Sequence, residues 1–223
     1  MSETNFSPKN PRQIEYANAI NENYVTFGLG PAGTGKTYVA LAQAVKQLRD
    51  KDVESIVVVR PNVSSGDKSL GFFPGTKQEK IAEWMKPAIN ALKRLLGKQQ
   101  FETLYQSGVI QLEPLETMRG ETFDRSFVLL DEAQNVTIED LEMFLTRIGE
   151  HSTFVIDGDV EQTDLSNRSG LASVIEMVRN YPNVEYPVVE FDIEDVVRSS
   201  VCKDFIKMFR AARRQEAQLK GNP

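Results

Sequence analysis

Short apolar runs alternate with longer stretches of helical period along this chain. Tyr24–Leu29 (YVTFGL), Ser55–Val59 (SIVVV), Val109–Leu112, Phe127–Leu130 (FVLL), Thr153–Ile156 and Val188–Phe191 are brief and rich in β-branched or aromatic residues. Such runs mark strands, and the continuous ones mark strands buried on both faces. Between them the period changes. Thr37–Asp50 repeats apolar residues at Val39, Ala40, Ala44, Val45 and Leu48, a helical stripe. Gln78–Leu96 places Ile81, Trp84, Met85, Ala88, Leu92 and Leu95 on one side, with Pro87 expected to kink or divide it. Further helices are expected at Arg12–Asn21, Ile138–Ile148, Leu171–Asn180 and Lys203–Ala217. Strands alternating with helices predict βαβ units and a parallel sheet. No Pro/Gly-rich linker interrupts the pattern, so one α/β domain over residues 1–223 is expected, with flexible ends at 1–9 and 218–223.

Composition narrows the class of protein. The chain has 223 residues, 40% of them hydrophobic, with 26 basic and 32 acidic side chains for a net charge of −6. That charge argues against a uniformly basic nucleic-acid binder but leaves room for a local basic stripe. The single cysteine, Cys202, excludes a disulfide within the chain, and the single histidine, His151, excludes a multi-histidine metal site. Cys202 reads as a plain buried thiol and His151 as polar surface. No apolar run approaches the ~20 residues needed to cross a bilayer, and the N-terminus has no signal-peptide core. A cytoplasmic protein without a membrane partner is expected.

The chemistry begins at Gly30–Thr37, GPAGTGKT. It fits G-x-x-x-x-G-K-[ST] and lies between an expected strand and an expected helix, the context a P-loop requires. Gly30, Gly33 and Gly35 let the backbone curl so that its N–H groups face phosphate oxygens, and the helix N-terminus adds to the attraction. Lys36 is placed to reach the β- and γ-phosphates of ATP, and the Thr37 hydroxyl to hold Mg²⁺. Pro31, Ala32, Thr34 and Tyr38 complete the expected nucleotide-binding stretch. FVLLDEAQ supplies the second half: Asp131 as a Walker B carboxylate acting on Mg²⁺ through its water shell, and Glu132 as the base that orients the attacking water. A base placed for water favours hydrolysis over phosphate transfer to a metabolite. A third element, GDVEQTDL, offers Asp159 and Gln162 at a strand end, where they would contact the γ-phosphate or its water.

GPAGTGKT, VVRPNV, LGFFPG, PLETMRG, LLDEAQN, MFLTRIG, GDVEQTDL and DVVRS occur together in an order and spacing that resemble the PhoH family of P-loop ATPases, from about Gln13 to Phe209. The resemblance implies a three-layer P-loop NTPase fold with a mainly parallel, RecA-like sheet, similar to the core of superfamily 1 helicases. By the same resemblance Gln13 is a candidate adenine reader. Arg60 follows a strand where helicases touch the nucleic-acid backbone, with a structural ion pair as the alternative. Some family members are associated with RNA metabolism, and others carry an appended PIN nuclease domain, for which this chain has no room.

Hydrolysis also needs positive charge on the developing γ-phosphoryl, often an arginine finger. Arg198 (DVVRSS) and Arg147 (MFLTRIG) are the leading candidates, with Arg119 a third. A finger acting in trans would require a homo-oligomer, a closed ring being the simplest arrangement, and the resemblance suggests a hexamer. Lys203, Lys207, Arg210 and Arg214 share one face of the C-terminal helix, beside an apolar stripe of Phe205, Met208, Phe209 and Ala212. That basic face could follow a single-stranded nucleic acid, RNA ahead of DNA, or pair with an acidic surface such as Glu139–Glu142. Trp84, Phe72 and Phe73 are read as base-stacking groups or, more simply, as core. Two functions stay open: an ATPase motor on single strands, and an ATP-dependent oligomeric interaction module without nucleic acid.

Overall fold

In the structure, a computed structural model, residues 6–61, 84–160, 169–183 and 185–220 are described, the last eight for backbone only. Asn10 opens the first helix, α1 (Pro11–Glu22), by accepting from the Gln13 N–H at 2.8 Å, with Pro11 in the first turn. The chain then enters β1 (Val25–Leu29), passes the glycine loop and winds into α2 (Lys36–Asp50). Strand β2 (Ser55–Arg60) follows, and after the break in description come α3 (Lys86–Leu96) and α4 (Lys98–Gln106). Then follow β3 (Ile110–Pro114), β4 (Ser126–Leu130), α5 (Ile138–Leu145), β5 (Thr153–Gly158), α6 (Gly170–Asn180), β6 (Val188–Glu190) and α7 (Ser200–Lys220).

The six strands form one sheet in the order β3-β2-β4-β5-β1-β6, and every pairing is parallel. Alternate residues feed the two faces. Ile56, Val58, Phe127, Leu129 and Val155 pack under α1–α4, against Tyr16, Leu41, Val45, Leu92 and Phe101. Val57, Val59, Val128, Leu130, Phe154 and Ile156 pack on the other side, against Leu141, Phe144, Leu171 and Ile175 from α5 and α6. Three layers result, with strands buried on both faces as their apolar runs predict.

Pro87 lies in the first turn of α3, with Met85 as its N-cap. Pro87 therefore stands at a helix start, where a missing N–H costs nothing; residues 78–83 of the expected Gln78–Leu96 helix lie outside the described residues. Helix α4 is an element the periodicity does not announce, since Phe101 is its only buried residue. Helix α7 runs on to Lys220, into the stretch expected to be flexible. Among the described residues, no helix is long and apolar enough to cross a membrane. His151 is exposed, in a left-handed turn (φ 56°), and Cys202 is half-buried and free.

Candidate functional site

Register brings the C-terminal ends of three strands together. Leu29 pairs with Gly158, and Leu130 with Ile156, so β5 separates the strand that feeds the glycine loop from the strand that ends at Asp131. Ligands of parallel α/β sheets bind beyond these carboxyl ends.

Positive φ at Gly30, Gly33 and Gly35 (135°, 88° and 88°) folds the loop, a geometry costly for any residue with a Cβ. Lys36 turns back over it: Nζ donates to the Gly30 carbonyl at 2.6 Å and to the Pro31 carbonyl at 3.0 Å. Thr34 is buried, Ala32 is exposed, and Tyr38 is half-buried against Phe6, with ring centroids 6.1 Å apart. Thr37 Oγ1 donates to Asp131 Oδ1 at 3.0 Å, joining two motifs 94 positions apart. That hydroxyl–carboxylate pair is a hard-oxygen set, and 3.0 Å is about the spacing of adjacent oxygens around an octahedral cation at ~2.1 Å. The pair therefore fits Mg²⁺ chemistry.

Asp131 is nearly fully buried, and its other oxygen is held by Arg60. Oδ2 accepts from Arg60 Nε at 3.0 Å and from Nη2 at 2.5 Å, while Nη1 donates to the Trp84 carbonyl at 3.0 Å. Of the two readings of Arg60, the ion pair is the one present. Its guanidinium is buried against Asp131. Trp84 is partly buried against the core, while Phe72, Phe73 and the LGFFPG motif fall outside the described residues.

Glu132 is half-exposed in a left-handed conformation, φ 62°, an uncommon state for a residue with a Cβ. Gln134 fixes its side chain, donating from Nε2 to Glu132 Oε2 at 2.6 Å while its Oε1 accepts from the Asp159 N–H at 3.1 Å. Gln134 thus ties the expected base to the end of β5. Motif reading missed it, though an amide two residues beyond the acid of DEAQ was the available signal. Asp159 is buried beside it; Gln162 lies outside the described residues.

Beneath the loop, Asp157 points to the α1 side of the sheet and accepts a hydrogen bond from the Tyr16 hydroxyl. Burial first, then the charge of Asp131, raises the Asp157 pKa from 3.8 to about 8, against opposing effects from Lys36 and Tyr16. Burial and Asp157 likewise push the Tyr16 hydroxyl well above its ordinary value. A neutral acid is thus stored under the glycine loop, and nothing in the motif pattern marks it.

The other expectations divide. Gln13 is buried and already engaged: Nε2 donates to the Thr34 carbonyl at 2.8 Å, and Oε1 accepts from the Lys9 N–H at 2.8 Å. As placed, Gln13 clamps α1 to the glycine loop instead of presenting a free amide to adenine. Arg198 is exposed directly over the loop, its Cγ 3.1 Å from where a Cβ on Gly33 would sit, and the Val197 N–H donates to the Gly33 carbonyl at 2.9 Å. Arg147 is elsewhere. Its Nε caps the Met143 carbonyl, and the residues after it pair with Phe123 and Arg125, which precede β4. That is the opposite end of the strands, about 17 Å away at ~3.3 Å per strand residue. Arg147 therefore cannot reach the site of its own subunit and could serve only a neighbour's. Arg119 is exposed on the loop after β3. Lys203 and Lys207 are bound to Glu194, through its carbonyl at 3.2 Å and its carboxylate at 2.7 Å, not to a Glu139–Glu142 surface.

The family model for PhoH-like proteins matches residues 5–210. This chain belongs to the PhoH family. A PhoH-like protein of Bacillus subtilis is 42% identical over 199 residues, covering 88% of this chain and 61% of the relative. Protein PhoH of Escherichia coli is 40% identical over 199 residues, covering 87% and 55%. The chain thus spans little more than half the length of these PhoH relatives. The large terminase of a thermophilic bacteriophage superposes with a TM-score of 0.56 at 11% identity, over 90% of this chain and 50% of that one. At that identity the likeness concerns the fold alone. This PhoH chain is a three-layer P-loop α/β protein with an all-parallel, RecA-like sheet, and its family is of the nucleotide-binding kind.

Proposed function

We propose that this PhoH protein is an Mg²⁺-dependent ATPase whose hydrolysis is completed within one subunit. The observation that carries the reading is the Thr37–Asp131 contact at 3.0 Å, which makes one oxygen site from two distant motifs beside Lys36. When bound there, Mg²⁺ supplies charge neutralisation to the phosphates. Lys36 exchanges its two loop carbonyls for phosphate oxygens, and the loop N–H groups hold the rest of the chain of phosphates. Glu132, aimed by Gln134, takes a proton from the attacking water as that oxygen bonds to the γ-phosphorus. The bond to the β-phosphate oxygen breaks, and ADP and phosphate leave. Arg198, exposed beside Gly33, would stabilise the charge that develops, with Asp159 and Gln162 as γ-phosphate contacts. Arg60 holds Asp131 oriented through its two hydrogen bonds to Oδ2.

The PhoH resemblance to superfamily 1 cores supports coupling to single-stranded nucleic acid, RNA ahead of DNA, by a homo-oligomeric ring, a hexamer in the simplest form. A second reading is favoured by the pairing of Lys203 and Lys207 with Glu194 and by the exposed apolar face of α7. In that reading ATP governs assembly without nucleic acid. Steady-state ATP turnover, with and without Mg²⁺ and with single-stranded RNA or DNA, tests both. Glu132→Gln should lower turnover by about 10²–10⁴-fold while leaving nucleotide binding intact. Stimulation by a single strand supports the motor, and turnover that neither polymer changes supports the assembly module. Equal turnover in wild type and Glu132→Gln would overturn the assignment.

A further inference from the structure

Register fixes where Arg60 meets Asp131. Val59 pairs with Leu130 on the parallel strands β2 and β4, and the Asp131 N–H donates to the Val59 carbonyl at 2.9 Å. Arg60 and Asp131 therefore stand side by side at the strand ends. Both continue the alternation that turns Ile56, Val58, Phe127 and Leu129 to the face under α1–α4. Arg60 is 8% exposed and Asp131 3%, and charges at that depth are retained only when paired.

The pairing is one-sided. Nε and Nη2 of Arg60 both donate to Asp131 Oδ2, at 3.0 and 2.5 Å, while Oδ1 accepts from the Thr37 hydroxyl at 3.0 Å. Nη1 donates to the Trp84 carbonyl at 3.0 Å, just before α3, so main chain and carboxylate together fix the plane of the guanidinium. A lysine would keep the charge but not this rigid three-way fork. Glu132 is held back as well. Nη2 stands 4.0 Å from its Oε1, and Gln134 donates to its Oε2 at 2.6 Å. Of these two carboxylates, one oxygen, Asp131 Oδ1, faces the Thr37 hydroxyl without a cationic side chain upon it.

Divalent cations differ in what they ask of such a site. Ca²⁺ takes about six to eight oxygens in a loose shell and often both oxygens of one carboxylate. Mg²⁺ keeps a strict octahedron, retains several waters and needs only one or two carboxylates. We propose that Arg60 is a positioning residue that selects Mg²⁺ over Ca²⁺ at this site by withholding one oxygen of Asp131. The inference rests on the Mg²⁺-dependent reading above and adds the side chain that enforces the choice. Arg60 acts through Asp131 and not by contact with the cation, which its own charge repels. Without the fork the Asp131 carboxylate is free to turn, and its second oxygen and Glu132 become available. A larger cation then gains ligands, while the smaller one loses the orientation of the oxygen it uses.

Equilibrium binding of a fluorescent ADP analogue to the full chain tests this without turnover. The quantity read is the concentration of Mg²⁺, or of Ca²⁺, that gives half-maximal binding at fixed analogue. Wild type should respond at lower Mg²⁺ than Ca²⁺. Arg60→Lys, which keeps the buried charge, should weaken the Mg²⁺ response by about 10–100-fold and the Ca²⁺ response far less. Arg60→Gln should lower the Mg²⁺-to-Ca²⁺ preference further. Trp84 is the one tryptophan of the chain, and its emission reports whether the start of α3 keeps its place in each variant. General loosening of the fold weakens both responses alike, so a preference unchanged in the variants would overturn the proposal. Equal responses to both cations in wild type would overturn it too. Analogue binding in wild type that neither cation nor EDTA alters would remove the Mg²⁺ reading itself, and the proposal with it.

Discussion

Asp157 is the residue whose behaviour is least expected from its position, since one carboxyl oxygen meets Tyr16 and the other accepts no hydrogen bond among the described residues. Its folded pKa, about 8, lies above the ordinary 3.8. Stability tied to its proton is therefore fully present below about pH 4 and is lost as pH rises toward 8, because the unfolded chain releases the proton first. Asp157→Asn should consequently stabilise the protein increasingly from about pH 5 to about pH 8, by on the order of a few kcal/mol at ~1.4 kcal/mol per pH unit. Urea denaturation of both proteins at the two pH values checks this, and a gap independent of pH would refute it. At the same scale, Arg198→Ala should lower ATP turnover by about 10³–10⁵-fold if that side chain is the finger, with nucleotide affinity changed much less. Measurement below the concentration of self-association would show that the arginine acts on its own subunit.

Elements differ in how far their sequence announced them. The six strands were legible because burial on both faces leaves an uninterrupted apolar run, as in Ile56–Val59 and Phe127–Leu130. Helix α4 was not, since a short helix that buries one phenylalanine carries no stripe. The glycine loop and Asp131–Glu132 were legible because phosphate and Mg²⁺ chemistry dictate residue types at fixed spacing. Gln134, the Gln13 clamp and Asp157 were hidden because their roles come from neighbours distant in sequence. Glycines show the same division. Gly28 has ordinary backbone angles, yet a Cβ there would run into Asp157 Oδ1 and the Tyr16 hydroxyl. Gly97 has φ 84° with open space around it. Gly28→Ala should therefore cost at least about 3 kcal/mol through overpacking, and Gly97→Ala, at φ 84° and ψ 150° in a region open essentially to glycine alone, about 1–3 kcal/mol of backbone strain without a clash. Thermal melts of the two variants would check the ranking.

For the whole molecule, the nucleotide loop is closed by a distant part of the chain. A Cβ on Gly30 would run into the Phe191 carbonyl, the Phe191 N–H donates to the Leu29 carbonyl at 2.7 Å, and Val197 reaches Gly33. Non-local contacts of this kind form late, after the loop entropy between their partners has been lost. During synthesis the glycine loop emerges early but has no wall until β6 and the segment behind it arrive. The binding competence of the first motif is thus deferred until more than a hundred and fifty further residues, from Gly30 to Phe191, have been made. A chain ending before Val188 should carry GPAGTGKT intact and still fail to retain a fluorescent ATP analogue that the full chain holds. On that expectation, a partly made chain carries the phosphate motif without the wall that closes it.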